Sequence, residues 1–522
     1  MSSSVVASGS QGSGRGLCLH SLHISALCIA TAAIVACEME PKGSAVDPVP
    51  SSEITDPVPS SDMSAGVGNG PTENAEGDEM AGEPTPNTEL GPTELPLQPG
   101  AAGAAATGGP AGTGGAANEP LAMGGAPAAA GATGAAGASA AGAPPPVTFT
   151  PNVRLNDDNG RGRQTEVALA TGPNGLAIAG WMDERAERVC AFSITTDSGV
   201  TWSDNVSIAL STGTFVGDPA VAVDGGGTLY AACQEYGLEQ IRLMTSTDRG
   251  VTWSGVRSIQ AAPDKPWVGG GVSSGEVFVS WLGQQAGIKR SRDGGLTFGP
   301  IEPLGNIIHG TAIVTSTTGL VHVPYNLDSA RNQLRYLRST TGGDSWDDAR
   351  DLLPDMGRFC FQCMPRQHPI VGAASDPTGK IVAITWASRM PGGQPDDDVW
   401  LLYSADGGVT WTAPIRVNDN TTDSRQFQSW VAVDAHGRVH VAWTDLRDDG
   451  LNKTFYARSA DPRQGFEPSI QVTDQPGTAN VGFLGDYKGI AISGTDVLIV
   501  WQDTRRDTGD IYFSRAAGAA GP

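Results

Sequence analysis

Polar side chains of several chemical types stand at the starts of successive alternating apolar segments in the C-terminal part of this chain. Five of them are candidates for catalysis: Tyr487, Glu166, Asp218, Asp264 and His309. These are residue types that act as nucleophiles and as general acids or bases. A tyrosine ionises far above neutral pH, so a carboxylate beside Tyr487 would help by accepting its proton.

A second group of residues at the same places is suited to binding. An arginine matches a carboxylate with two parallel hydrogen bonds, and an indole ring can stack on a sugar. The candidates are Lys265, Trp267, Arg366, His368, Arg389, Gln428, Trp430 and Asp486. Two interpretations of these residues stay open, because uneven packing of loops explains the diversity of their types as well as a ligand site does. The tryptophans could bind a sugar or be buried, and burial is the commoner case.

Three segments repeat the pattern W-x-D-x-R. They are Trp181–Arg185, Trp443–Arg447 and Trp501–Arg505. The arginines could form a cluster that binds an anionic sugar, or each could pair with the aspartate two positions before it. Repetition at equivalent positions favours pairing, so Arg366 and Arg389, which break the repeat, are the better binding candidates.

A short turn motif, S/T-x-D-x-G-x-x-W/F, organises the same part of the chain. Its five copies are Thr195–Trp202, Ser246–Trp253, Ser291–Phe298, Ser339–Trp346 and Ser404–Trp411, with Thr341 in place of aspartate in the fourth. In such a turn the aspartate caps backbone N–H groups, the glycine takes a positive φ and the aromatic ring packs back on the hairpin. The motif therefore predicts scaffold, and its carboxylates are not catalytic candidates.

The repeat that contains this turn has four antiparallel strands and recurs about every 45–65 residues, which is typical of propeller blades. Seven copies of the two-strand core predict an all-β, seven-bladed propeller, with six blades as the alternative. The last copy lacks a fourth strand, whereas Pro151–Asp157 resembles the fourth strands Pro414–Asp419 and Ser469–Asp474. We therefore expect an N-terminal strand to complete the last blade and close the ring.

The turn motifs resemble the Asp-box repeats of the sialidase-like (BNR repeat) propeller superfamily over residues 147–522. That resemblance implies the propeller fold but is poorly specific for activity, because the superfamily includes hydrolases, lyases and proteins that catalyse nothing. Sialidases have six blades, an arginine triad and an R-I-P motif near the start of the domain. They use a tyrosine nucleophile activated by a glutamate and an aspartate as acid/base, so the resemblance implies Tyr487 as nucleophile, Glu166 as its base and Asp218 or Asp264 as the acid. Polysaccharide lyases of this shape use a His or Tyr base beside an Arg or Lys, which would be His309, His368 or Tyr487 with Lys265. Residues 151–154 do not match the R-I-P motif, and the seventh blade also argues against a direct transfer of roles.

The first 146 residues contain little that could build a core. An apolar run ends at Cys37 in a sequence that resembles the lipobox of bacterial lipoproteins, which predicts a signal peptide over 1–36 and a lipidated Cys37. The alternative is an ordinary cleaved signal. Residues 37–146 are rich in Ala, Gly and Pro and acidic, which predicts a disordered linker before the propeller at 147–522. As a flexible coil the linker would reach on the order of 55–60 Å.

Charge and cysteine usage narrow the classes of function. The formal net charge is −23, which argues against nucleic-acid binding. Apart from the lipidated Cys37, four cysteines lie beyond the leader, Cys190, Cys233, Cys360 and Cys363, an even number as in exported domains. We expect a Cys190–Cys233 bridge between neighbouring blades and a small loop closed by Cys360 and Cys363. A metal site at Cys360, Cys363 and His368 lacks a fourth ligand, so none is predicted.

The sequence thus predicts an exported monomeric propeller, tethered to the outer membrane or cell surface only through a lipid, that recognises a carbohydrate or a protein partner. The alternative is a glycan-cleaving enzyme, either a glycoside hydrolase or a polysaccharide lyase. A periplasmic or secreted location is the alternative setting. No cofactor is expected. The acidic runs at residues 396–398 and 445–449 are read either as Ca²⁺ sites or as solvated charge.

Overall fold

The computed structural model of the chain describes residues 146–522 except 158–161, 185–187, 209–215, 237, 262–263, 328–331, 358–368, 391–396, 479–483, 507–508 and 522. In these residues antiparallel sheets follow one another along the chain. The only helical turn in them is Pro462–Gln464. Within the described residues no helix is long and apolar enough to cross a bilayer.

Seven four-stranded blades form the propeller, and the last is completed by the N-terminal strand β1 (Val153–Arg154). Blade 1 contains β2 (Gln164–Thr171), β3 (Ala177–Asp183), β4 (Val189–Thr195) and β5 (Val206–Ile208). Blade 2 contains β6 (Val216–Val223), β7 (Leu229–Glu235), β8 (Gln240–Ser246) and β9 (Arg257–Ala261). Each blade begins with its inner strand and ends with its outermost one.

Blades 3 and 4 share one sheet. Their strands are β10 (Asp264–Gly270), β11 (Val277–Ser291), β12 (Glu302–Thr311), β13 (Val314–Thr315), β14 (Val321–Leu327), β15 (Gln333–Ser339) and β16 (Arg350–Leu353). The long strand β11 serves as second and third strand of blade 3. Strand β12 pairs with β11 and also with β14, so it leads from the edge of blade 3 into the inner side of blade 4.

The last three blades return to the regular pattern. Blade 5 contains β17 (Gly372–Ser375), β18 (Val382–Ser388), β19 (Asp398–Ser404) and β20 (Ile415–Arg416). Blade 6 contains β21 (Gln426–Val433), β22 (Val439–Asp445), β23 (Lys453–Ser459) and β24 (Ile470–Gln471). Blade 7 contains β25 (Gly489–Ser493), β26 (Asp496–Asp503) and β27 (Asp510–Ala516), and β1 pairs with β27 through Val153 opposite Phe513. The seven-bladed prediction and its closure by an N-terminal strand are confirmed.

Large aromatic side chains on the second strands fill the interfaces between blades. Five tryptophans and one tyrosine occupy this position and are almost completely buried: Trp181, Trp281, Tyr325, Trp386, Trp443 and Trp501. Each packs on the preceding blade, as Trp281 does on Tyr230 of blade 2. Burying a ring of this size removes about 150–250 Å² from water, which corresponds to about 4–6 kcal/mol of transfer free energy.

Blade 2 replaces this aromatic wedge with a covalent bond. Cys233 of β7 stands where the other blades carry the aromatic residue, and it forms a disulfide with Cys190 of β4 in blade 1. The two Cα atoms are 6.4 Å apart, and both side chains are buried in the interface between the two blades. Cys360 and Cys363 lie outside the described residues.

The Asp-box turns have the capped geometry that the motif predicts. In the second copy, Asp248 accepts hydrogen bonds from the Thr252 N–H (2.8 Å) and hydroxyl (2.6 Å). These bonds, led by that of the Thr252 hydroxyl, lower the pKa of Asp248 to about 2 from its ordinary value of 3.8. In the fourth copy the Thr341 hydroxyl replaces the aspartate as the capping group and accepts a hydrogen bond from the Ser345 N–H at 2.9 Å. The turn therefore tolerates a hydroxyl in place of the carboxylate.

We expect Asp248→Ala to lower the melting temperature more than Asp248→Thr, because threonine can still cap the turn as Thr341 does. A depressed carboxylate pKa stabilises the fold above the unfolded value of 3.8 and loses that effect as the pH falls toward 2. The difference between wild type and Asp248→Ala should therefore be full above pH 4 and shrink toward pH 2. Thermal unfolding followed by circular dichroism measures it, and a difference that is constant with pH would contradict the capping role.

Candidate functional site

Irregular inner strands create the candidate site. The inner strands of blades 1, 2, 3 and 6 each have a β-bulge near their start, and the residue inside each bulge has a positive φ. These residues are Glu166 (φ 58°), Asp218 (φ 47°), Lys265 (φ 45°) and Gln428 (φ 51°). Left-handed backbone costs a non-glycine residue about 1–2 kcal/mol. Each bulge changes the direction of one polar side chain relative to its direction in a regular strand.

The bulges and the start of blade 7 bring six of the thirteen predicted catalytic and binding residues together in a group that we name the channel cluster. It consists of Glu166, Asp218, Asp264, Lys265, Asp486 and Tyr487. Lys265 lies at its centre, with Nζ 3.2 Å from Asp218 Oδ1 and 2.6 Å from Asp486 Oδ2. Because these three residues belong to blades 2, 3 and 7, the cluster joins blades across the ring.

Hydrogen bonds complete the cluster. The Tyr487 hydroxyl donates to Asp218 Oδ1 at 3.3 Å, and the Tyr236 hydroxyl donates to the other oxygen of Asp218. Glu166 Oε2 accepts from the backbone N–H of Asp486 at 3.3 Å. The side chain of Lys265 is 12% exposed and those of Asp218 and Asp486 are 4% and 6% exposed. The charges are therefore paired with one another in a nearly water-free space.

Burial and charge move the pKa values of the cluster in different directions. Burial, followed by the charge of Asp486, raises the pKa of Glu166 well above its usual range. Burial and the charge of Asp218 raise the pKa of Asp264 to about 6. Burial also acts on Asp218, but Lys265 and the hydrogen bonds of the cluster outweigh it and lower the pKa of Asp218.

The same forces act against Tyr487 as a nucleophile. Burial, assisted by the neighbouring carboxylates, raises the pKa of Tyr487 well above its usual value, although the Lys265 charge opposes the shift. Its hydrogen-bond acceptor Asp218 has a lowered pKa. The pKa values of the Tyr487 hydroxyl and the Asp218 carboxylate therefore move apart, which makes proton transfer from Tyr487 to Asp218 harder. Efficient general-base catalysis needs the two pKa values brought closer.

An aromatic layer underlies the charged one. Trp267 and Trp430 belong to blades 3 and 6, yet their ring centroids are only 5.1 Å apart, and each also contacts the Tyr487 ring, at 5.8 and 6.2 Å. The corresponding inner-strand residues of the other blades are small, such as Ala168 and Ala220. The two indoles thus fill the centre of the ring and pack on each other, and Trp430 is only 8% exposed.

The other binding candidates are dispersed. Gln428 donates from Nε2 to the carbonyls of Leu484 and Gly485, both at 2.8 Å, and so links blades 6 and 7. Arg389 follows β18, and its Nε is buried without a hydrogen-bond partner among the described residues. Arg366 and His368 lie outside the described residues, and nothing is described of the His309 side chain.

The repeated arginines pair with their own aspartates where the structure describes them. Arg447 donates to Asp445 from Nε at 3.0 Å and from a terminal nitrogen at 2.7 Å, and its guanidinium covers the Phe455 ring. Arg505 repeats the pairing with Asp503 at 2.9 and 2.7 Å. Arg185 lies outside the described residues. In blades 6 and 7 these arginines are scaffold, as the pairing interpretation of the motif has it.

The acidic runs are also paired with basic side chains where they are described. Asp397 is fully buried beside Arg425, at 3.1 Å, and Asp398 contacts Arg416 at 2.7 Å. Asp449 contacts Lys453 at 2.8 Å. Asp396 lies outside the described residues. Among the residues with described positions, no group of three or more His, Cys, Asp or Glu side chains is placed to hold a metal ion. Asp397, Asp398 and Asp445 are buried, which corrects the interpretation of these positions as solvated charge, whereas Asp448 and Asp449 are exposed as that interpretation expects.

Comparison with known proteins gives distant structural matches. No protein-family model matches the chain, and no curated protein matches it significantly. A Hadza microbial sialidase is similar with a TM-score of 0.38 and 18% identity, over 59% of this chain and 66% of the sialidase. A protein of unknown function from Dyadobacter fermentans is similar with a TM-score of 0.42 and 14% identity, over 71% of this chain and 98% of that protein. A polysaccharide lyase, an ulvan lyase, is similar with a TM-score of 0.37 and 12% identity, over 56% of this chain and 82% of the lyase. At these values the similarity assigns neither activity nor ligand.

We expect Lys265→Met to destabilise the protein by about 3–5 kcal/mol, because it leaves two buried carboxylates without their counter-charge. The triple variant Lys265→Met, Asp218→Asn, Asp486→Asn should regain most of the loss, because it removes those charges as well. Denaturant unfolding measures both, with Lys380→Met as the exposed control. A single variant as stable as wild type would show that Lys265 does not hold the cluster together.

Proposed function

We propose that this protein is a recognition head that binds a carbohydrate at the mouth of its central channel without cleaving it. One observation carries the proposal: three residues that could perform cleavage, Tyr487, Glu166 and Asp218, are each only 3% exposed. Tyr487 donates to Asp218, and Lys265 is shared between two carboxylates. Such a cluster supports a rigid polar floor that a substrate would have to open before it reached these three residues.

Arg389 is the side chain best suited to hold a ligand at this mouth. It follows the second strand of blade 5, and in an antiparallel pair the end of the second strand lies beside the start of the inner strand. Its Nε lacks a hydrogen-bond partner in the described part of the chain, in contrast to Arg447 and Arg505. A buried donor without a partner costs free energy that a ligand carboxylate or hydroxyl would recover. The proposed ligand is therefore a glycan with an acidic group.

Glycan cleavage remains the second candidate because of the carboxylates. Glu166 has a raised pKa and Asp218 a lowered one, and glycoside hydrolases combine one protonated and one ionised carboxyl group. Both groups are 3% exposed. A cleaving enzyme would have to open the cluster to admit a glycosidic bond, whereas a binding protein would leave it closed.

A glycan array with the full-length chain, read early and after long incubation, tests these alternatives. We expect a lasting signal that Arg389→Met reduces about tenfold or more, since a charge-assisted hydrogen bond is lost. Arg463→Met is the control, because Arg463 is exposed and lies in the helical turn Pro462–Gln464. Tyr487→Phe and Glu166→Gln should keep the signal.

Cleavage would give the opposite pattern. The wild-type signal would decay as the ligand is consumed, and Tyr487→Phe or Glu166→Gln would make it last. A blank array at high protein concentration would refute the carbohydrate proposal and favour a protein partner at the cell surface.

We further propose that the head is a monomer held at the outer membrane or cell surface by a lipid on Cys37, with residues 37–146 as its tether. The support is the lipobox-like sequence that ends at Cys37 and the acidic, low-complexity composition that follows it. Two acyl chains or their equivalent give stable anchoring, which one chain does not.

We expect Cys37→Ala to release the protein from the membrane fraction and to abolish labelling by a fatty-acid analogue. Cell fractionation and metabolic labelling measure the two effects. Cys28→Ala, which alters a cysteine within the leader, is the matched control and should retain both. A Cys37→Ala protein that stays labelled and membrane-bound would contradict lipidation at this position.

A further inference from the structure

The face of the ring that carries the Asp-box turns has one place where the repeat pattern is broken. In blades 1, 2, 3 and 5 the residue directly after the glycine of the turn motif has an aliphatic side chain that is 51–80% exposed. These residues are Val200, Val251, Leu296 and Val409. Blade 4 carries Asp344 at this position and Thr341 in place of the capping aspartate. Both departures lie beside blade 3, with which blade 4 shares its sheet.

Two arginines of blade 3 meet Asp344 there. Arg290 donates from a terminal nitrogen to Asp344 Oδ1 at 2.9 Å, and a terminal nitrogen of Arg292 contacts the same oxygen. Arg292 and Asp344 are 59% and 61% exposed. At the position of Arg292 the other turns carry small side chains, such as Thr196 and Ala405. Two guanidinium groups that converge on one exposed carboxylate oxygen form an anion site occupied by a side chain of the protein itself.

Arg290 is held in place by buried neighbours. Its Nε donates to Glu276 Oε1 at 2.7 Å, and a second nitrogen contacts the same carboxylate. Its guanidinium carbon lies 5.4 Å from the centroid of the Phe278 ring. Glu276 and Arg290 are 10% and 17% exposed. The guanidinium therefore keeps its orientation without Asp344, which a preorganised anion site requires.

Both arginines line a groove of about 590 Å³ between blades 3 and 4, and together with Asp344 they also line an adjacent groove of about 240 Å³. The larger volume is within the range of small-molecule sites. The lining of the larger groove includes short turns with hydroxyl side chains, among them Ser273, Ser274 and Thr340, which are exposed. Planar guanidinium groups beside hydroxyls and backbone groups suit a sugar with an acidic substituent, because the arginines take the anion and the hydroxyls face the sugar hydroxyls.

We propose that this groove between blades 3 and 4 is a second ligand site, for a saccharide that carries a carboxylate or a sulfate, and that Asp344 occupies the anion position when no ligand is bound. The site is separate from the channel mouth and does not depend on what binds there. Ligand binding exchanges the Asp344 carboxylate for the ligand anion. Asp344 therefore competes with the ligand.

Isothermal titration of the full-length protein with an oligogalacturonate hexasaccharide and with a sulfated hexasaccharide tests the proposal, with a neutral galactose hexasaccharide for comparison. We expect binding of at least one acidic probe and none of the neutral one. Arg292→Met should weaken binding about tenfold or more, since it removes a charge-assisted donor. Asp344→Asn should strengthen it, because the competing charge is lost. The acidic probe that binds identifies the preferred anion.

Arg338→Met is the matched control, because Arg338 precedes the turn of blade 4 as Arg290 precedes that of blade 3 and pairs with Asp347 at 2.7 Å. It should bind like wild type. Arg290→Met should also abolish binding, but its burial makes unfolding a separate outcome that circular dichroism detects. If Arg290→Met unfolds, the result for Arg292→Met decides the test, because Arg292 is exposed. Failure of both acidic probes to bind, unchanged binding by Arg292→Met, or weaker binding by Asp344→Asn would each overturn the proposal.

Discussion

The structure depends on the packing of one blade against the next around a closed ring. No blade could bury both of its faces alone, and the second-strand aromatic residues fill each interface from one side. Where blade 2 lacks that residue, the Cys190–Cys233 disulfide connects the same two surfaces. Pairing of β1 with β27 then completes the last blade and joins the two ends of the propeller. Every side chain at the centre owes its position to this closure, because neighbours in the ring are distant in the sequence.

The closed ring makes the centre a confined space, and the bulged inner strands determine what fills it. Each bulge aims one polar residue inward at a cost in backbone strain. The burial of several carboxylates there is tolerable because Lys265 lies between Asp218 and Asp486 and because Glu166 has a raised pKa that favours its neutral form. The result resembles a catalytic cluster in its residue types and differs from one in its accessibility. A structure of this kind stabilises the ring and gives the channel mouth a fixed floor.

The two faces of the ring use the repeat differently. At the channel mouth, the repeated arginines of blades 6 and 7 are neutralised by their own aspartates, whereas Arg389 departs from the pattern and keeps a buried nitrogen without a partner among the described residues. On the Asp-box face, the departures at Thr341 and Asp344 coincide with the arginines of blade 3. On both faces a residue that breaks the repeat has unused or exchangeable hydrogen-bonding capacity, Arg389 on one and Asp344 on the other, which is the physical reason to look for ligands there.

Local chemistry was readable from the sequence. The Asp-box turns and the alternating strands follow from short-range patterns, since turn capping and hairpin pairing depend on residues close in the chain. The completing N-terminal strand could be predicted because its sequence resembles the fourth strands of other blades, although its partner β27 is at the other end of the domain. The meeting of Tyr487, Asp218 and Lys265 was predictable only as residues at one end of the ring. That Trp267 packs on Trp430, and that Lys265 binds Asp486 as well as Asp218, was decided by the tertiary structure. The contacts of Trp267 with Trp430 and of Lys265 with Asp486 join blades that are not adjacent, so no spacing along the chain encodes them.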